Sequence, residues 1–182
     1  MIVLTKDGRN AELLKFEPVH ADQLLSYLVN LSGESKARFG PHPFTPDGIE
    51  KVFGSSCEIR GYIALEAGTD QIIAYSLIKA GYLEADGIRY SGYGFQLPAS
   101  AVCTYAPSVA DQWQGSGLGS NMFEFILNDI RQSDFRTMIL WGGVQSSNSR
   151  ALVFYQKRGF RVAGEFEHDG PNLDMYLPLP DH

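Results

Sequence analysis

The stretch Val109–Ser120 constrains this chain more than any other. Gly115, Gly117 and Gly119 alternate there with small or apolar residues. A strand-like run at 101–109 precedes them and a helical pattern follows at once. Backbone that leaves a strand through glycines and enters a helix presents bare N–H groups and a positive dipole end. Such a turn is an anion cradle, and the usual anion is a phosphate.

The flanking segments supply the rest of the architecture. Residues 11–19 read as a first strand. Leu24, Tyr27, Leu28 and Leu31 recur at helical spacing over 21–31, with Asp22 placed to suit the N-terminal dipole. Residues 32–44 are polar and punctuated by Gly and Pro, a loop or a short helix followed by a loop. Thr45-Pro46-Asp47 caps a second helix that runs to about Ser55. Apolar, β-rich runs at 59–66 and 71–79 flank a turn at Gly68-Thr69-Asp70. Tyr82, Tyr90, Tyr93 and Phe95 lie among glycines, which predicts an irregular strand extension and loop over 82–98.

After the glycines, a helix from Gly117 to about Arg131 places Leu118, Met122, Phe125, Ile126 and Ile130 on one face. Residues 136–144 are nearly all apolar and predict a strand buried on both faces. Asn148–Arg158 is a helix closed by Gly159. Strands near 160–167 and 172–179 end the order β-α-α-β-β-β-α-β-α-β-β. This predicts a mixed sheet with helices on both faces, an α/β or α+β fold in a single domain over 1–182.

The bulk properties exclude several classes. A chain of 182 residues with 44% hydrophobic content has enough material for one sizeable core. The formal net charge of −6 argues against nucleic acid or an anionic membrane as a partner. No long apolar stretch marks a leader or a membrane span, and Cys57 and Cys103 have no metal or redox spacing. A cytoplasmic protein without a metal is the expectation.

Three phosphate-binding readings compete for the glycines. A P-loop requires a Lys after its second glycine, and this loop has none. A dinucleotide fingerprint is met at Gly115 and Gly117, but position 120 is Ser and the third glycine falls early, at 119. Asp134, near the right distance for a ribose contact, sits in a turn rather than at a strand end. The third pattern is Gln-x-x-Gly-x-Gly at Gln114, Gly117 and Gly119. It agrees with a second block, Asn-x-x-Ala-x-x-x-Tyr-x-x-x-Gly-Phe at Asn148, Ala151, Tyr155, Gly159 and Phe160. Together the two blocks resemble the GNAT superfamily of acetyl-CoA-dependent N-acetyltransferases, and the element order resembles that fold over about 11–180. The resemblance implies a mostly antiparallel sheet of six to seven strands flanked by about four helices.

It also implies acetyl transfer from acetyl-CoA to a primary amine of a small molecule, or of a protein lysine or N-terminus, by direct attack in a ternary complex. Main-chain groups of Ser108, Val109, Ala110 and Asp111 would align the pantetheine arm and its thioester. N–H groups of Gly115, Ser116, Gly117, Leu118, Gly119 and Ser120, beside Gln114, would hold the pyrophosphate. Asn148 is either a cofactor contact, a helix cap or both. The family often has Arg where this chain has Gln114, so a cation must come from elsewhere, with Arg150, Lys157 and Arg158 as candidates.

Tyr155 occupies the family's position for the acid that protonates the departing thiolate, and core packing is its competing reading. An attacking amine with pKa about 10.4 needs a base, since its neutral form costs about 4–5 kcal/mol at neutral pH. The strands at 100–109 and 136–144 hold no carboxylate. Glu84 is the base candidate, with Asp86, Glu66, His42 or a water chain from Thr104 or Tyr105 as alternatives.

Segments 32–44 and 82–95 are the expected acceptor walls, and Ser-Gly-Glu-Ser-x-x-Arg-Phe at 32–39 is faintly similar to bacterial protein-lysine acetyltransferases. Relatives often pair their C-terminal strands in a homodimer. The missing strand carboxylate keeps a second reading open, a non-catalytic acyl-CoA-binding sensor or regulatory module.

Overall fold

The computed structural model describes residues 1–54 and 58–180. Cys57 and the expected helix end near Ser55 lie outside the described residues. Nine strands and six α-helices are present among the described residues, in two compact units. The class is the expected one, mixed and mostly antiparallel, with more strands than six or seven.

The first unit comprises Met1–Ile78 and Ala106–Ile130. It holds β1 (Ile2–Leu4), β2 (Asn10–Lys15), β3 (Ile59–Glu66) and most of β4 (Ile72–Ala80). β1 and β3 both pair antiparallel with β2, with Ile2 opposite Glu12 and Ala11 opposite Glu66. The strand expected to reach residue 19 ends at Lys15, because Pro18 opens a 3-10 turn at Pro18–His20. Proline supplies no ladder N–H and favours a first helical turn.

Helix α1 (Ala21–Asn30) buries Leu24, Tyr27 and Leu28, as the periodicity predicts. The 32–44 segment contains a short helix, α2 (Gly33–Arg38), whose N-cap Ser32 hydroxyl accepts from the Ser35 N–H at 3.2 Å. Helix α3 (Pro46–Gly54) begins where the Thr45 hydroxyl accepts from the Gly48 N–H. The later part of β5 (Val102–Val109) leads to α5 (Leu118–Ile130). Phe123 of α5 is fully buried, whereas Phe125, expected on the core face, is half-buried with its edge against Tyr62.

The second unit comprises Lys79–Tyr105 and residues from Arg131 onward. The early part of β5 runs parallel to β6 (Thr137–Leu140), and β6 is antiparallel to β9 (Pro171–Pro178). β7 (Val144–Gln145) and β8 (Arg161–Glu167) also pair antiparallel with β9. The single strand expected over 136–144 is broken because Gly142 and Gly143 take φ of 65° and 72°, the left-handed region. Helix α6 (Ser149–Lys157) ends on Gly159 at φ 89°.

The largest departure from expectation is α4 (Glu84–Gly92), where irregular structure is predicted. Gly87 is a packing glycine there, since a Cβ at this position would run into the Tyr82 ring. Among the described residues, no helix is long and apolar enough to cross a membrane, and no group of acidic, His or Cys side chains could hold a metal.

Candidate functional site

The glycine loop lies wholly in the first unit. β5 ends at Val109, a 3-10 turn covers Asp111–Trp113, and Gly115 and Gly117 take φ of 81° and 91° before α5 begins. No L side chain adopts those angles readily. Within the loop the N–H groups divide by position. The Leu118 N–H is taken by the Ser116 hydroxyl at 3.3 Å, and that hydroxyl donates to the Trp113 carbonyl at 2.6 Å. The Gly117 carbonyl accepts from the N–H groups of Ser120 and Asn121. Among the described residues, the N–H groups of Gly115, Gly117 and Gly119 donate to no protein acceptor. Three unpaired donors at the start of a 13-residue helix are suited to an anion.

Contacts from distant sequence hold this loop in place. The Gln114 side-chain amide donates to the Val109 carbonyl at 3.1 Å and to the Asp111 carboxylate at 3.2 Å. That carboxylate also accepts from the Ser35 hydroxyl at 2.7 Å and the Ser32 N–H at 3.2 Å. These hydrogen bonds, led by the one from Ser35, hold the Asp111 pKa below its ordinary value. From the other side, the Lys6 N–H donates to the Ser116 carbonyl at 2.8 Å, and the Arg9 guanidinium stacks over the Trp113 ring.

The strand leading to the loop is similarly committed. The Ala110 N–H donates to the Ile73 carbonyl at 2.9 Å. The Ser108 hydroxyl donates to the Tyr75 carbonyl at 3.1 Å, so its oxygen accepts from the Tyr27 hydroxyl at 3.0 Å. The Tyr75 hydroxyl meets His42 Nε2 at 3.0 Å, while His42 Nδ1 faces the Pro43 carbonyl at 2.9 Å. A ring nitrogen facing a carbonyl must carry the proton, so Nε2 is the acceptor and Tyr75 donates. Burial pushes the His42 pKa below 6.5. His42 is therefore packed inside rather than displayed on an acceptor loop.

Beside this strand a cavity of about 370 Å³ is lined by residues of α1, the β3–β4 turn and Ala110–Gln112. Gln23 borders it with a buried Oε1 that finds no partner among the described residues.

In the second unit, Asn148 Oδ1 accepts from the Ala151 N–H at 3.2 Å and caps α6. Tyr155 is buried against Phe154 and Phe160, and burial raises its hydroxyl pKa well above 10. Glu84 is exposed in the first turn of α4. Asp86, two residues on, is engaged elsewhere: its carboxylate meets the Arg89 guanidinium at 2.6 Å and accepts from the Gly142 N–H at 3.4 Å. Arg89 also grips Asp174 with two bonds, at 2.7 and 2.9 Å. Both carboxylates are buried, and burial outweighs Arg89 in raising the Asp86 pKa.

The expected donor-site residues from Ser108 to Ser120 thus share one unit, while Asn148, Tyr155 and Glu84 share the other. Sequence reasoning missed the loop's supports, Lys6, Arg9 and Ser35. The local signal for Lys6 and Arg9 was a polar turn between two short apolar runs at 2–4 and 11–14, whereas Ser35 lies in the polar segment 32–44.

Comparison with known proteins agrees with this geometry. The acetyltransferase (GNAT) domain family matches residues 60–162. No curated protein matches the chain at a significant level. Among solved structures, the GNAT domain of Streptomyces lividans PAT superposes with a TM-score of 0.73 at 20% identity, covering 98% of this chain and 96% of that one. A GCN5-related N-acetyltransferase from Kribbella flavida gives 0.68 at 17% identity, covering 93% and 98%. A GNAT-family acetyltransferase from Streptococcus pneumoniae gives 0.68 at 18% identity, covering 93% and 99%. The shared fold, and a family match over more than half of the sequence with both glycine-loop and Tyr155 blocks inside it, make this chain a member of the GNAT acetyltransferase family.

Proposed function

We propose that the chain moves an acetyl group from acetyl-CoA to a primary amine, carried by a small molecule or by a protein lysine or N-terminus, through direct attack in a ternary complex. The observation that carries this reading is the row of unpaired N–H groups at Gly115, Gly117 and Gly119 in a GNAT-family chain. The fit extends to shape. Gly117 takes φ 91°, and a Cβ there would meet the Lys6 side chain at 3.1 Å, so a larger residue at this position disturbs the loop on both counts.

Acetyl-CoA, when bound, supplies an activated acyl thioester. The glycine N–H groups hold its pyrophosphate, and the main chain of Ser108 to Asp111 aligns the pantetheine arm. Part of that stretch is already committed within the protein: the Ala110 N–H to the Ile73 carbonyl, and the Val109 carbonyl to the Gln114 side chain. Tyr155 Oη is the source of the proton that the leaving sulfur takes; burial raises its pKa, which keeps the hydroxyl protonated and makes it a weaker acid than an exposed tyrosine. Asn148 keeps its cap through Oδ1, and its amide N–H groups would contact the cofactor. Glu84 is the base, exposed and unburdened by the ion pair that occupies Asp86.

One observation favours a second reading, an acyl-CoA-binding module without turnover: β5 bears no carboxylate. An acceptor panel decides. The chain is incubated with acetyl-CoA and diamines, polyamines, aminoglycosides, aryl amines and lysine peptides while thiol release is followed. Turnover on any class supports the transferase, and tight acetyl-CoA binding with none supports the binding module. Gly117→Val should abolish acetyl-CoA binding in calorimetry, and retained affinity would sink both.

A further inference from the structure

The loop from Ser108 to Ser120 contains no Lys, Arg or His. Coenzyme A carries a pyrophosphate and a 3′-phosphate, and this chain has a net charge of −6. Neutral N–H donors alone would face several negative charges with the Asp111 carboxylate close by. The motif position that often carries Arg in relatives is Gln114, and its amide is spent on Val109 and Asp111.

The β1–β2 turn meets that need. Its Lys6 backbone N–H donates to the Ser116 carbonyl at 2.8 Å, which anchors residue 6 on the loop. Its side chain then runs across Gly117. Cγ, Cε and Cδ of Lys6 lie 3.1, 3.3 and 3.4 Å from where a Gly117 Cβ would stand. The ammonium is one bond beyond Cε, at the edge of the glycine loop. Several other cations of this unit are occupied: Arg9 by Asp7 and Trp113, Lys15 and Arg60 by Asp129, Arg38 by Glu34, Lys36 by the Val29 carbonyl. Lys6 is exposed, and among the described residues its ammonium makes no ion pair or hydrogen bond.

We infer that Lys6 is a phosphate-binding residue of the donor site, supplying from the N-terminal hairpin the positive charge that the glycine motif lacks. This rests on the acetyl-CoA reading of the loop. It gives Gly117 a second role: besides adopting φ 91°, it lets the Lys6 stem lie flat against the loop. The flexible ammonium approaches whichever phosphate oxygen the glycine N–H groups leave exposed, and a Lys, unlike an Arg, needs no planar fork to do so.

The experiment is calorimetric titration of CoA into the unaltered chain and into K6Q, K6M and K6R. Gln and Met keep an unbranched stem over Gly117, and Arg restores the charge. K6Q and K6M should each weaken CoA binding about tenfold, the scale of one exposed charge-assisted contact, while K6R stays within about threefold. Binding by the unaltered chain should weaken with added salt, and less steeply in K6Q. Affinity within twofold of the unaltered chain in K6Q and K6M overturns the inference. So does K6R as weak as K6Q, since that would make the effect one of packing. Failure of the unaltered chain to bind CoA at all defeats the donor-site reading instead, which separates the two.

Discussion

The guanidinium of Arg9 lies 3.6 Å from the centre of the Trp113 ring and donates to the Gln112 carbonyl at 3.0 Å. Residues 103 positions apart in the chain thus clamp the turn that leads into the glycine loop. Trp113 is buried beneath that contact, so the guanidinium also shields the ring from water.

Arg9→Ala removes the stacked cation, the exposed pair with Asp7 and the bond to Gln112 together. The expected cost is about 1–2 kcal/mol in urea unfolding, the sum of one partly exposed cation–π contact and one charge-assisted bond. Trp113 emission should shift to the red in the variant, because the ring face becomes wet. An unchanged unfolding midpoint and spectrum would show that the clamp contributes nothing.

Arg89 sits between two buried carboxylates, Asp86 and Asp174. Arg89→Met leaves both without their cation, and the expected loss is about 3 kcal/mol by chemical denaturation at neutral pH. The deficit should shrink in acid, where Asp86, its pKa already raised by burial, takes up a proton. Adding Asp86→Asn to Arg89→Met should recover part of the loss at neutral pH. A double variant no more stable than the single one would place the damage elsewhere.

His42 has a folded-state pKa below its unfolded value of 6.5, because burial disfavours the imidazolium. The folded chain therefore binds that proton less tightly than the unfolded chain does. The stabilising effect is present above pH 6.5 and is lost as pH falls through the lower, folded value. Urea unfolding from pH 8 to pH 5 should show this decline, and His42→Gln, which can still accept from the Tyr75 hydroxyl, should flatten it. Equal slopes in the two proteins would exclude His42 as the cause.

Tyr155→Phe should lower turnover about 100-fold, within the range of one general acid, while leaving the CoA dissociation constant within twofold. Steady-state kinetics beside calorimetry separates the two quantities. A matching fall in affinity would make Tyr155 a binding residue instead.

The parts of the fold that were legible are those where apolar spacing has one interpretation. Leu24, Tyr27 and Leu28 on α1, and Leu118, Met122 and Ile126 on α5, are buried as their periodicity predicts. α4 was illegible because its inner face is polar and tight. Asp86 and Tyr90 are its buried residues, Gly87 is there for the Tyr82 ring, and Asp86 is balanced by an Arg89 whose other partner is 85 residues away. β1 has exposed Ile2 and Leu4 and so lacks the alternation that marks a half-buried strand. In the candidate site, the glycine spacing was readable because it is local, whereas Lys6, Arg9 and Ser35 reach the loop only through tertiary contacts. The break at Gly142 and Gly143 was hidden by an otherwise continuous apolar run.

Asp111 has a thermodynamic consequence for any ligand of the loop. Its carboxylate gathers donors from Ser32, Ser35 and Gln114, so the turn is restrained from its own side and from α2 at once. Conformational entropy that a slack glycine segment would surrender on binding is surrendered here when the chain folds. Any ligand of Gly115, Gly117 and Gly119 would meet a loop whose entry is already tied down at Asp111.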